Sequence, residues 1–155
     1  MYRSFTGCSA QIAGSAAAVA RACERAKALG AKRAIPLQVS APFHCALMKP
    51  AEIRLAPELR ALSVSDPAIP VVANVDAEPK RDGQSAVEAL VAQVSAPVRW
   101  EAVVQRLAKE GVTTYVEVGT GTVLGGLVKK IHKDARIFNM GVPADLAALE
   151  GLATR

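Results

Sequence analysis

Two histidines and one glycine pair are the residues of this chain whose type and spacing could do chemistry. His44 comes directly after Ile35-Pro36-Leu37-Gln38-Val39, which reads as a strand, and the breaker Ser40-Ala41-Pro42. Side chains at strand ends are where α/β folds place reactive groups, and imidazole titrates near enough to neutral pH to act as general base or acid. The competing reading is an ordinary loop or packing histidine. Cys45 is adjacent, but neighbouring side chains on an extended segment point apart, which argues against a Cys45–His44 nucleophile pair. His132 lies in Lys129-Lys130-Ile131-His132-Lys133 and reads as a solvated helix end whose cations complement the helix dipole. Neither histidine has a second His, Cys or carboxylate at metal-ligand spacing, so no metal is expected. Gly119-Thr120-Gly121, between a strand and a helix, is either an anion cradle of backbone N–H groups or a plain tight turn. Leu124 stands where the dinucleotide fingerprint requires glycine, and no Walker pattern occurs.

These residues must be positioned by the elements around them. Apolar runs of strand length alternate with longer segments of helical period, which predicts an α/β domain with a largely parallel sheet. Ser15–Leu29 carries Val19, Cys23, Ala26 and Leu29 on one stripe and stops at Gly30, so it reads as a helix with Cys23 in the core. Ala46–Leu62 has helical period, accepts Pro50 only near its start and is strained at Pro57, which predicts a kink or a late start. Ile69–Val75 reads as a strand and Asp76–Gly83 as a polar turn. Helical period resumes at Ser85, with Val87, Leu90, Val91 and Val94 on one face, and ends by Pro97. Trp100–Glu110 carries a second helix through Val103, Val104 and Leu107. Strands are expected at Thr114–Val118 and Arg136–Met140, and helices at Val123–Ile131 and Pro143–Leu149.

Composition narrows the functional classes. The 155 residues hold 19 Lys and Arg against 14 Asp and Glu, a formal charge of +5. With 51% hydrophobic and 21% charged residues, the chain is far from the disordered regime. One domain is the default at this length, burying roughly 70% of the surface the unfolded chain exposes. No apolar run approaches the ~20 residues of a membrane span. The start Met1-Tyr2-Arg3-Ser4 shows no secretory pattern, so a cytoplasmic location is expected. Cys8, Cys23 and Cys45 are odd in number and lack C-x-x-C spacing, which argues against disulfides and a zinc site. One Trp, two Tyr and three Phe, with no interleaved basic stretch, make nucleic acid a poor partner.

The segment Val39-Ser40-Ala41-Pro42-Phe43-His44-Cys45-Ala46-Leu47-Met48-Lys49-Pro50 closely resembles the catalytic-histidine segment of the malonyl-CoA:acyl carrier protein transacylases. Gly30-Ala31-Lys32-Arg33-Ala34, Pro70-Val71-Val72-Ala73-Asn74-Val75-Asp76, Gln93 followed by Pro97-Val98-Arg99-Trp100, and Tyr115-Val116-Glu117-Val118-Gly119 follow in the family's order. The resemblance runs from about Ile12 to Leu149, whereas Ser4–Gln11 departs from the family's pattern.

The resemblance implies malonyl transfer from malonyl-CoA to the phosphopantetheine thiol of acyl carrier protein, in fatty acid biosynthesis, without a cofactor. It implies that His44 is the general base, that the main-chain carbonyl of Gln93 orients it, and that Phe43 lies in the acyl pocket, where it disfavours a methyl branch. The family is about twice as long. Its nucleophilic serine sits in a G-H-S-x-G motif and an arginine holds the malonyl carboxylate; the sequence has no G-x-S-x-G, and no matched position supplies that arginine. The implied fold is the carboxy-terminal part of an α/β-hydrolase-like large subdomain, residues 39–155, with residues 1–38 a remnant of a ferredoxin-like small subdomain. The isolated chain is expected to be inactive, and a missing amino-terminal half is a candidate partner beside malonyl-CoA and acyl carrier protein. The alternatives are a basic module that binds acyl carrier protein without chemistry, and a vestigial fragment whose sheet exposes an apolar edge.

Overall fold

The computed structural model describes residues 11–152. Cys8 and residues 4–10 of the atypical opening segment lie outside the described residues. The chain divides into two compact units between Arg99 and Trp100.

In the first unit, α1 (Ala16–Ala28) starts where the Ser15 hydroxyl accepts from the Ala18 N–H at 3.4 Å, and ends before Gly30 at φ +91°. Ala is the best helix former and Ser a favoured N-cap, so the sequence dictates both ends. Its stripe of Ala18, Val19, Ala22, Cys23 and Ala26 is only half-buried, and Leu29 is exposed. Cys23 is therefore not the core residue expected.

Ile35–Val39 forms no strand. Pro36 lacks an N–H, the Val39 N–H turns back to the Leu37 carbonyl at 3.1 Å, and no described strand pairs with the segment. Ile35, Leu37 and Val39 are consequently exposed. A 3₁₀ turn at Ala46–Met48 leads into α2 (Lys49–Arg60), which has Pro50 in its first turn and continues through Pro57, so the late start is what occurs.

The strand expected over Ile69–Val75 shrinks to β1 (Val71–Val72). It pairs antiparallel with β2 (Pro79–Lys80), which lies inside the segment expected to be a polar turn. The intervening turn is tied by Asp76, whose carboxylate accepts from the Glu78 N–H at 3.0 Å and from Lys80 Nζ at 2.5 Å. Next, α3 (Gly83–Ala92) begins two residues earlier than the apolar pattern does, because Asp82 caps it by accepting from the Ser85 N–H at 2.7 Å. Val87, Ala89 and Val91 are buried, Val94 is half-buried, and Leu90, expected on the same face, is exposed. Helices α2 and α3 pack on each other, and Arg60 clasps Glu88 with two 2.7 Å bonds.

In the second unit, α4 (Trp100–Lys109) is followed by β3 (Thr114–Val118), α5 (Val123–Ile131) and β4 (Arg136–Met140), with both strands at the expected residues. β3 and β4 are parallel in the register Thr114↔Arg136 to Val118↔Met140, with α5 as the crossover that parallel pairing requires. Val104, Val128 and Ala135 form the core, backed by Trp100, Tyr115, Ile131 and Ile137. Val116 and Val118 are exposed on the alternate positions of β3. A 3₁₀ stretch, Pro143–Leu152, stands where an α-helix was expected. Among the described residues the strands thus form one parallel and one antiparallel pair, not a largely parallel sheet. The architecture is mixed α/β, and no helix among the described residues is long and apolar enough to cross a membrane.

The helix cap sets an acid limit on stability. Donation from the Ser85 backbone and hydroxyl holds the Asp82 carboxyl below its ordinary value of 3.8. The unfolded chain therefore binds the proton more readily, so the cap's contribution is present above pH 3.8 and is lost as pH falls through the folded value. The variant Asp82→Asn keeps a capping oxygen but cannot titrate. Its urea midpoint is expected to fall less than the parent's between neutral pH and about pH 3.

Candidate active site

The approach to His44 is a sequence of tight local turns. The Phe43 N–H donates to the Ala41 carbonyl at 2.9 Å, and the Cys45 thiol donates to the Pro42 carbonyl at 3.1 Å. The Met48 N–H then closes the 3₁₀ turn on the Cys45 carbonyl at 2.9 Å. His44 sits between these turns at φ +57°, in the left-handed region that costs a non-glycine residue roughly 1–2 kcal/mol. Backbone strain of this kind persists only where the surrounding structure holds it, and it clusters at functional sites.

The imidazole is exposed, and its Nδ1 lies 3.2 Å from the Gln93 carbonyl oxygen, 49 residues away in the chain. Gln93 is the C-cap of α3, where the last carbonyls lack intrahelical partners, so this oxygen is free to accept. A carbonyl carries no proton, so the bond exists only when the ring proton is on Nδ1. Nε2 is left with its lone pair, the form a general base needs. Cys45 is no partner for the ring, since its thiol goes to Pro42. Phe43 precedes the histidine with about half its surface exposed.

Two residues absent from the sequence-based expectations hold the helices that position this pair. Glu52, in the first turn of α2, accepts from Lys49 and from the Ser95 hydroxyl, and these two bonds hold its carboxyl below the usual glutamate range. The i,i+3 pairing of Lys49 with Glu52 is a readable helix signal, but the bond to Ser95 spans 43 residues and has none. Asp66 accepts from the Gly83 N–H at 2.8 Å and so anchors the start of the helix that ends at Gln93.

In the second unit the Gly119-Thr120-Gly121 turn has Gly119 at φ +131° and Gly121 at φ +97°. The amides of α5 that would cradle an external anion are already used: the Leu124 and Gly125 N–H groups donate to the two Glu117 carboxylate oxygens at 3.0 and 2.6 Å. The tight-turn reading therefore holds, and Glu117 supplies the cap that the Thr122 side chain does not. Replacing Glu117 by Ala orphans both donors and is expected to destabilise by about 1–2 kcal/mol. Glu117→Gln, which keeps an acceptor, is expected to recover part of that loss when the two variants are compared by thermal melting. His132 is also more than a solvated helix end. Its Nδ1 is 3.2 Å from the Tyr115 hydroxyl and its ring meets Tyr115 edge-on, while Lys129 Nζ donates to the Ala135 carbonyl at 2.8 Å.

Among the described residues, an open groove of about 660 Å³ along α5 and β4 and another of about 560 Å³ beside Asp76, Lys80 and Glu88 are lined by neither His44 nor Gln93. Among the described residues no group of three or more His, Cys, Asp or Glu could hold a metal.

No family model matches the sequence. Individual proteins do. The malonyl CoA-acyl carrier protein transacylase of Haemophilus influenzae is 45% identical over 139 residues, which cover 90% of this chain and 45% of that protein. The crystal structure of an acyl-carrier-protein S-malonyltransferase from Burkholderia pseudomallei superposes with a TM-score of 0.82 at 45% identity, over 87% of this chain and 44% of that one. A type II PKS acyl-carrier protein in complex with its malonyl-transacylase contains a chain that matches with a TM-score of 0.81 at 42% identity, over 86% of this chain and 43% of that one. The resemblance read from the sequence is borne out as a similarity: the relatives and solved structures this chain matches are malonyl-CoA:acyl carrier protein transacylases, and the chain spans a little under half the length of those relatives.

Proposed function

We propose that this chain is the histidine-bearing part of a malonyl-CoA:acyl carrier protein transacylase, with His44 as general base and the Gln93 carbonyl as its orienter. The observation that carries the reading is the 3.2 Å bond between His44 Nδ1 and the Gln93 oxygen, made from a left-handed backbone. In this reading a serine from a complementary segment attacks the thioester carbonyl of malonyl-CoA while His44 Nε2 takes its proton. The proton passes to the departing CoA sulfur as the malonyl-serine ester forms. Nε2 then deprotonates the phosphopantetheine thiol of acyl carrier protein, the thiolate attacks the ester, and the proton returns to the serine. Thioester exchange changes no oxidation state, so this mechanism needs no redox cofactor.

Phe43 belongs to the same reading as a wall of the acyl pocket beside the base. In family terms, residues 39–155 are the end of an α/β-hydrolase-like large subdomain and residues 1–38 a remnant of a ferredoxin-like small one, in a cytoplasmic enzyme. The nucleophile motif is not in the sequence, so transfer requires a segment that supplies it. The test is malonyl transfer to acyl carrier protein by the chain alone and mixed with the G-H-S-x-G segment of a relative. Activity only in the mixture supports the proposal. Salt-sensitive binding of acyl carrier protein, without transfer in either sample, would favour a carrier-binding module.

A further inference from the structure

We propose that Glu52 is a positioning residue for the His44–Gln93 pair, a second cross-link that holds the turn bearing the Gln93 carbonyl against the segment bearing the imidazole. The proposal rests on the reading of His44 as the base. Glu52 is the buried charged residue among those described, 8% exposed. Its Oε1 accepts from Lys49 Nζ and its Oε2 from Ser95 Oγ. Glu52 stands eight residues after His44, across the 3₁₀ turn and into the first turn of α2, and Ser95 stands two residues after Gln93. The two bonds therefore join the same two stretches of chain, at the same end of α3.

Arg60 meets Glu88 in the body of α3, Glu52 meets Ser95 just past its end, and His44 meets Gln93 beside that. The antiparallel course of α2 against α3 thus carries the orienting carbonyl to the histidine.

This tie matters because the orienting bond is easily lost. At 3.2 Å it is at the long limit for N–H···O, its donor is an exposed ring, and its acceptor belongs to a helix end, where backbone order is lowest. A shift of the turn by a few tenths of an ångström frees the ring to take the other tautomer, with its proton on Nε2, which cannot accept a proton from a nucleophile. The Ser95–Glu52 bond opposes that shift. A buried carboxylate is costly to leave unpaired, so the bond does not exchange readily with water. Lys49, on the same helical turn, keeps the second oxygen satisfied.

The test uses the full chain and needs no activity. The ¹⁵N shifts of the His44 ring, read at about pH 8.5, roughly two units above the ordinary imidazole value, report the tautomer ratio. The parent is expected to be mainly Nδ1–H. Glu52→Ala is expected to raise the Nε2–H to Nδ1–H ratio about fivefold, the factor a typical net hydrogen bond contributes. Ser95→Ala should do the same, and Glu52→Gln, which still offers Ser95 an acceptor, should stay near the parent. Arg60→Ala, which cuts the other tie between the helices, should leave the ratio unchanged. A parental ratio in Ser95→Ala, or an equal change in Arg60→Ala, would overturn the proposal and leave the reading of His44 intact. If Glu52→Ala fails to fold, Ser95→Ala carries the test. A parent that is itself mainly Nε2–H would overturn both.

Discussion

His44→Ala is expected to lower malonyl transfer by roughly 10²–10⁴-fold in the mixture that restores the nucleophile segment, the range general-base groups contribute. The loss should appear in kcat and in kcat/KM alike, because the proton is taken during the chemical step and not on binding. In the proposed mechanism both half-reactions use the same nitrogen, so acylation by malonyl-CoA and transfer to acyl carrier protein should slow together in single-turnover measurements. Gln93→Ala is the informative contrast. Its main-chain carbonyl, not its amide, accepts from Nδ1, and the N–H that closes the last turn of α3 on Ala89 is also main-chain. Activity should stay within about an order of magnitude of the parent, since no reacting or orienting atom is removed. A loss at Gln93→Ala as deep as at His44→Ala would refute the carbonyl's role.

Gly83→Ala is expected to destabilise the chain, against the sign that helix propensity alone predicts. Alanine exceeds glycine by about 1 kcal/mol in an open helix interior. At Gly83, the first residue of α3, an added Cβ would run into the Val64 carbonyl oxygen and lie 3.1 Å from that of Ser65. Both obstacles are backbone, so no rotamer change relieves them, and the Asp66 bond to the Gly83 N–H holds the two segments together. Overpacking of this kind costs about 1–3 kcal/mol. At ~2–4 °C per kcal/mol for a chain of this size, thermal melts should show a fall of several degrees. Gly126→Ala is the control. Gly126 lies within α5, and a Cβ added there would meet nothing within 4 Å, so this variant should follow propensity and stabilise. A rise in Tm for Gly83→Ala would refute the contact at the start of the helix that carries Gln93.

The sequence by itself determined the elements whose signals are local. Ser15 and Gly30 bracket α1, Trp100 to Lys109 repeats its apolar residues at helical spacing, and β3, α5 and β4 lie at the residues where period and turn chemistry put them. It also carried the family resemblance, because the run through Phe43-His44 and the spaced segments after it are a linear pattern. Ile35–Val39 shows where local signals stop. Its alternation is that of a strand, but a strand exists only by pairing, and no described strand accepts its N–H groups. The anion cradle at Gly119-Thr120-Gly121 fails for a similar reason: the sequence identifies the amides, while the tertiary structure decides that Glu117 fills them. The candidate site is the clearest case. Types and motifs singled out His44 and Gln93, but the Nδ1 bond, the left-handed backbone beneath it and the tie from Glu52 to Ser95 depend on how α2 lies along α3. That packing brings together residues 43 and 49 positions apart, and neither helical nor strand periodicity carries information over such separations.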